Sequence, residues 1–272
     1  MTRLARVGLR SYRLYKLSQR FPGAAACREI RESVVRKSAR RKCVSFLAGQ
    51  QVVSGPFKGL RYAETASVGS MIWPKLAGTY ESELQPCLRE IADRDYQAVI
   101  DVGYAEGFYL LGLGRWFENA ELIGFDLEAE AERQCRGNAE VNGIASQRLR
   151  LFGGFDAGQF QENLRDKTLV VVDCEGFEND VIEGVTEQQA ARADWLIETH
   201  DHLVPGTTQR MTARLRHTHH IELIHTDAGF ADKCKLLPSA LRDQCSREEQ
   251  EAIVTEGRVE PQSWVFATRR AA

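Results

Sequence analysis

The stretch from Ala98 to Tyr109, A-V-I-D-V-G-Y-A-E-G-F-Y, constrains the fold more than any other part of the chain. A short apolar run (Ala98, Val99, Ile100, Asp101, Val102) reaches Gly103 and Gly107, after which Phe108, Leu110, Leu111 and Leu113 take up helical spacing. A strand that ends in a glycine turn and feeds a helix is the ligand-binding corner of a doubly wound α/β sheet. Glycine matters there because a ligand comes close to the backbone only where no Cβ stands in the way.

The pattern downstream alternates in the same way. Strands are predicted at 98–102, 121–126, 148–152, 169–173, 195–199, 221–225 and 264–268. Helices are predicted at 109–117, 128–142, near 159–164, at 178–190 and at 209–217. This alternation predicts a mostly parallel seven-stranded sheet with helices on both faces. Upstream, residues 51–63 read as two short strands around Gly55-Pro56, and Leu84, Leu88 and Ile91 share one face of a helix leading into the sheet. The interval 227–262 is long for a connection between strands; it contains a helix near 246–255 and reads as a lid or substrate-facing insertion. The expected organisation is a basic helical extension (1–50), a strand-turn and helix lead-in (51–95) and an α/β domain (96–272).

Charge divides the chain. Residues 1–43 hold 13 Lys/Arg and two acids, a net of +11, which leaves −13 on the remainder of a chain whose formal charge is −2. The arm is read first as a solvated helix packing one face on the body or on the partner of a homodimer. Contact with an anionic surface, lipid or nucleic acid, is the alternative. No apolar run reaches 18 residues, so no transmembrane helix is expected. Basic residues interrupt the N-terminus where a signal peptide would be apolar, and the seven scattered cysteines lack C-x-x-C spacing. Reduced thiols and a cytoplasmic location are the simplest expectation.

The turn D-V-G-Y-A-E-G is not G-x-G-x-x-G, so the dinucleotide fingerprint is absent. The second strand ends in Asp126, placed to take both ribose hydroxyls of an adenosine. Two later strand ends are rich in acids and histidine: Asp173 and Glu175 on one, Glu198, His200, Asp201 and His202 on the other. Side chains two apart on a strand share a face, which groups Glu198, His200 and His202 and sends Thr199 and Asp201 the other way. So many ionisable groups at the ligand end of a sheet are costly unless they serve a ligand, a metal or each other.

These residues resemble the Rossmann-like methyltransferases that use S-adenosylmethionine. V-V-D-C-E-G-F-E-N-D-V-I at 171–182, L-I-E-T-H-D at 196–201 and G-T-Y-E at 78–81 are similar to segments of their FkbM-type branch. The resemblance covers about residues 78–226. It implies that Tyr80, Glu81, Asp101, Gly103, Glu106, Gly107, Asp126, Leu127 and Asp173 form the cofactor site. Asp156, after G-G-F, either meets the adenine or starts the next helix. It further implies O-methylation of a sugar, glycan or other small metabolite. Such a site aligns nucleophile, methyl and sulfur and removes a proton. His200 is the first choice of base because its ordinary pKa lies near neutrality; Glu175 and Glu198 are alternatives, and Asp173 would position the acceptor hydroxyl. No metal is expected; if one is present, Asp173 and Glu198 with Asp201 or His200 would hold it. Cys174 reads as a small buried residue rather than a nucleophile, and His217, His219 and His220 lack a third metal ligand. The alternatives kept open are an RNA methyltransferase that uses the arm, and a catalytically silent binding module of the same fold.

Overall fold

The computed structural model describes residues 24–47, 49–226, 229–258 and 260–270. Seven strands, β1 (Ala98–Val102), β2 (Glu121–Phe125), β3 (Leu149–Phe152), β4 (Thr168–Val172), β5 (Ala193–Thr199), β6 (His219–His225) and β7 (Ser263–Arg269), form one sheet in the order β3-β2-β1-β4-β5-β7-β6. The first five are parallel, and β7 enters antiparallel between β5 and β6. This is the Rossmann-like methyltransferase fold. The chain crosses from one half of the sheet to the other between β1 and β4, and that switch opens a crevice at the carboxyl ends of the strands.

The helices are α1 (Ala24–Phe46), α2 (Ile72–Ala77), α3 (Gln85–Ala92), α4 (Phe108–Trp116), α5 (Ala129–Val141), α6 (Ala157–Asn163), α7 (Glu178–Glu183), α8 (Glu187–Ala190), α9 (Thr207–Leu215), α10 (Phe230–Leu236), α11 (Ser239–Arg242) and α12 (Arg247–Val254). Strand alternation sorts the core into two layers. Val99, Leu122, Leu169, Val171, Leu196, Trp264 and Phe266 face one side, where they meet α1 to α5 and the insertion helices. Ile100, Ile123, Val170, Val172, Trp195 and Val265 face the other and pack on α6 to α9. With helices on both faces β1, β4 and β5 are buried at every position, as parallel strands between two helical layers are.

Two local expectations are corrected. Residues 51–63 make no strands, only a single bridge between Gln51 and Arg61, because the turn packs Val52, Phe57 and Leu60 into the core instead of extending a ladder. The helix expected at 178–190 is two helices: the first ends at Glu183, and Thr186 starts the second with a reciprocal Thr186–Gln189 capping box.

The insertion and the basic helix are parts of one surface. Ala39, Cys43 and Leu47 of α1 are buried in the same layer as Leu241, Ile253 and Val254. Lys42 Nζ lies 2.6 Å from Glu249 and 2.6 Å from the carbonyl of Gln244, and Arg31 pairs with Glu248. The described part of the arm therefore spends some of its bases on acids of the insertion. The expectations for residues 1–23 lie outside the described residues. Among the described residues no helix is long and apolar enough to cross a membrane.

Candidate active site

The glycine turn works because of what stands behind it. Gly103 (φ 89°) donates its N–H to the carbonyl of Phe125, and a Cβ there would overlap the carbonyl oxygen of Asp173. Only glycine lets β1, β2 and β4 converge so closely. Gly107 (φ 89°) serves packing instead: its Cβ would come 2.8 Å from the Cys135 sulfur, on the α5 side and away from the cleft.

In front of the turn lies a cavity of about 780 Å³, walled by Asp101, Gly103, Tyr104 and Ala105 at the corner and by Asp126, Leu127, Gly154 and Phe155 on the β2–β3 side. Asp173, Glu175, Phe177 and Glu198 form the β4–β5 wall, and Glu256, Arg258 and Gln262 cover it. Asp126 is preset by the backbone: Oδ2 accepts from Ala105 N–H and Oδ1 from Glu128 N–H, both at 2.9 Å. Leu127 is 85% exposed and offers an apolar side to the cleft. Asp101 is buried, and its Oδ1 has no hydrogen-bond partner among the described residues. Burial first, and then the neighbouring Asp173 and Asp126 carboxylates, push the Asp101 carboxyl well above the usual range. A buried, orphaned carboxylate oxygen at a cavity wall is complementary to a cationic group.

Other expected residues have turned elsewhere. Glu106 is buried behind the corner, 2.5 Å from Lys75 Nζ and accepting from Val68 N–H at 3.0 Å. Lys75, not Glu106, reaches the cavity, with Tyr80 and Phe108 rings beside its ammonium at 4.9 and 5.3 Å from their centroids. Glu81 is buried under the cavity rim, held by Tyr109 and Arg258; burial, against the pull of Arg258, raises its carboxyl to about 7. Tyr80 does line the cavity. Asp156 caps α6, accepting from Gln159 N–H at 2.8 Å. Asp201 caps the start of α9 through the Gly206 and Thr208 amides at 2.9 and 3.1 Å. Thr199 bonds Thr208 at 2.7 Å, so Thr199 and Asp201 do share the face opposite His200. Asp201 is thereby withdrawn from any cation shared with Asp173 and Glu198.

His200 is wholly buried and does not line the cavity. Its Nδ1 lies 2.7 Å from Glu178 Oε1, while Nε2 faces Glu175 at 3.5 Å and Asp173 and Glu198 at 3.7 Å each. Burial alone would lower its pKa, but Glu178, Asp173 and Glu175 together raise it above the ordinary histidine value. The ring thus stands behind the cavity wall and not among the groups that face the cavity, where the sequence-based expectation places His200 as the base. Glu198 is buried beneath Arg258; burial, then Asp173, raises its carboxyl well above the usual range. Of the three acids that face the cavity and meet this cluster, Glu198 is held by Arg258, which leaves Asp173 and Glu175. Burial raises the Cys174 thiol far above its ordinary value, in keeping with an inert sulfur.

Three participants were not singled out from sequence: Lys75, Glu178 and Arg258. Glu178 had a signal, since it closes the E-G-F-E segment three residues after Glu175 and falls in the first turn of α7. Arg258 had none; only folding carries it to Glu81, Glu198 and Glu256.

The class defined by fold and site is a Rossmann-like methyltransferase fold with a switch-point cleft faced by an acid-rich wall. No family model and no curated protein matches the sequence. Solved structures are similar at low identity. The precorrin-6Y C5,15-methyltransferase from Geobacter metallireducens is 12% identical, with 68% of this chain and 89% of that chain covered and a TM-score of 0.43. For the precorrin 8w decarboxylase from Methanobacterium thermoautotrophicum the values are 15%, 66%, 87% and 0.45. For the O-methyltransferase TomG from Streptomyces achromogenes, solved in complex with SAM, they are 13%, 70%, 80% and 0.44. At such scores the likeness carries no argument about ligand or reaction.

Proposed function

We propose that the protein is an S-adenosylmethionine-dependent O-methyltransferase, of the FkbM type its motifs resemble, acting on a hydroxyl of a sugar, glycan or other small metabolite. The observation that carries this reading is Asp101: a buried carboxylate oxygen without a partner among the described residues, at the wall of a cavity that also presents the preset carboxylate of Asp126. One fits the ammonium of an amino acid, the other the diol of a ribose, and S-adenosylmethionine joins the two groups in one molecule. The glycine corner would lie against its amino acid end, and Leu127 with Phe155 would flank the base.

The cofactor supplies an electrophilic methyl group on a sulfonium. The chain's task is to orient the acceptor hydroxyl and take its proton as the carbon–oxygen bond forms and the carbon–sulfur bond breaks. Asp173 and Glu175 suit that task, because both face the cavity and, among the described residues, neither pairs with a lysine or an arginine. The polar cover of Glu256, Arg258 and Gln262 suits a hydroxyl-rich acceptor, and the cavity lies within the range of small-molecule pockets, which run to about 1,000 Å³.

Calorimetry with S-adenosylmethionine tests the reading. Asp126→Ala removes charge-assisted hydrogen bonds worth about 1.5–3 kcal/mol, so affinity is expected to fall about 10- to 150-fold. No binding to the wild type, or equal binding by the variant, would sink it.

A further inference from the structure

We propose that Asp173, Glu175 and His200 form a binding site for a borderline first-row divalent cation, Zn²⁺ or Mn²⁺, on the cavity wall. Each offers one ligand atom, and the three atoms lie within 4.8 Å of one another. The acids alone would mean little, since exposed carboxylates often gather without a ligand. The second observation is the imidazole. His200 is 0% exposed, its Nε2 has no hydrogen-bond partner among the described residues, and that nitrogen points into the group at 3.5 Å from Glu175 and 3.7 Å from Asp173.

Those separations suit a shared cation. Bonds of about 2.0–2.2 Å to tetrahedral neighbours put the ligand atoms about 3.3–3.6 Å apart. The other face of the ring is organised to match. Glu178 is buried, receives the Gly176 N–H at 2.9 Å, and sits 2.7 Å from Nδ1. A carboxylate at Nδ1 fixes the tautomer whose Nε2 carries the free lone pair, the arrangement that orients metal-bound histidines. An imidazole beside two carboxylates favours zinc or manganese over magnesium or calcium, which prefer all-oxygen sites. Glu198 stands 3.7 Å from the same nitrogen, with its other oxygen engaged by Arg258, so it adds negative charge behind the group.

Three protein ligands leave a coordination position open, as catalytic sites do. Asp173 and Glu175 also line the cavity, so that position faces the space assigned above to the acceptor. This part rests on the proposed methyl transfer: a cation there would acidify the acceptor hydroxyl where the carboxylates alone would have to take its proton. The binding site itself does not rest on that reading.

The full chain, stripped of metal with a chelator, is titrated with ZnCl₂ and MnCl₂, with MgCl₂ as the comparison. Saturable binding of one Zn²⁺ or Mn²⁺ per chain is expected, tighter than Mg²⁺. Glu175→Gln, at a side chain 74% exposed and safe for folding, and Glu178→Gln should each weaken it at least tenfold. Pulsed electron paramagnetic resonance of bound Mn²⁺ should show a coordinated imidazole nitrogen, lost in His200→Gln. Asp126→Ala should leave cation binding unchanged, which separates failure of this site from failure of the cofactor reading. No one-to-one binding of either cation, or binding indifferent to Glu175→Gln and Glu178→Gln, would overturn the proposal.

Discussion

At the scale of single residues, the site is governed by which atoms are left with partners and which are not. Asp126 is held by two backbone amides, whereas Asp101 Oδ1 and His200 Nε2 are buried with no hydrogen bond among the described residues. The sequence could place each of these at a strand end, because their positions follow from the apolar runs that precede them. It could not say which would line the cavity. Glu106 and Gly107 belong to the same turn as Gly103, yet Glu106 pairs backwards with Lys75 and Gly107 packs on Cys135. The turn reverses direction within five residues, so neighbours in sequence face opposite sides. Gly103 itself has no tolerance. Gly103→Ala combines a left-handed backbone, costing about 1–3 kcal/mol, with overlap onto the Asp173 carbonyl. A loss of at least about 2 kcal/mol in urea unfolding is expected. Gly153→Ala, where a Cβ meets nothing within 4 Å, should stay within about 0.5 kcal/mol of wild type.

Elements were the most legible level. All seven strands occur where the apolar runs predict them, with ends shifted by one or two residues, because a central parallel strand must be apolar on both faces. The misreadings fall where local patterns compete with packing: the lead-in at 51–63, and the helix from 178 that stops before the capping box at Thr186. The docking of α1 on α12 could not be read at all, since it joins residues more than 200 apart through Ser38, Lys42 and Glu249. That contact has a pH dependence. Burial works to raise the Glu249 carboxyl, but Lys42, Ser38 and the Ser246 amide bring it down to about 2 from an ordinary 4.5. A depressed carboxyl pKa gives stability that is complete above about pH 4.5 and is lost as pH falls towards 2. Pepsin cleavage at Phe46–Leu47 should therefore rise steeply over that window before cleavage in β2. In Glu249→Gln it should already be high at pH 4.5. A wild type cut equally at both ends of the window would count against this linkage.

For the whole molecule, the insertion between β6 and β7 is held over the site by ion pairs in addition to the apolar side chains it buries in the core. Arg258 binds Glu81, Glu198 and Glu256, and Lys233 of α10 binds Glu83 and Glu256. Arg258→Ala would leave three acids without their guanidinium, a loss of about 3–5 kcal/mol by the cost of breaking buried pairs. Urea unfolding at pH 8 should register it, and amide exchange should show residues 229–258 opening first. A change below 1 kcal/mol would mean the cover is held by its apolar contacts. The sequence by itself determined the sheet, the helices that flank it and the strand ends at which ligands gather, because burial imposes a periodicity that each segment carries alone. Only the tertiary structure decided which acids reach the cavity, that carboxylates enclose His200 behind the cavity wall, and that Arg258 gathers Glu81, Glu198 and Glu256. Those outcomes depend on distances between segments far apart in the chain, and no local pattern encodes them.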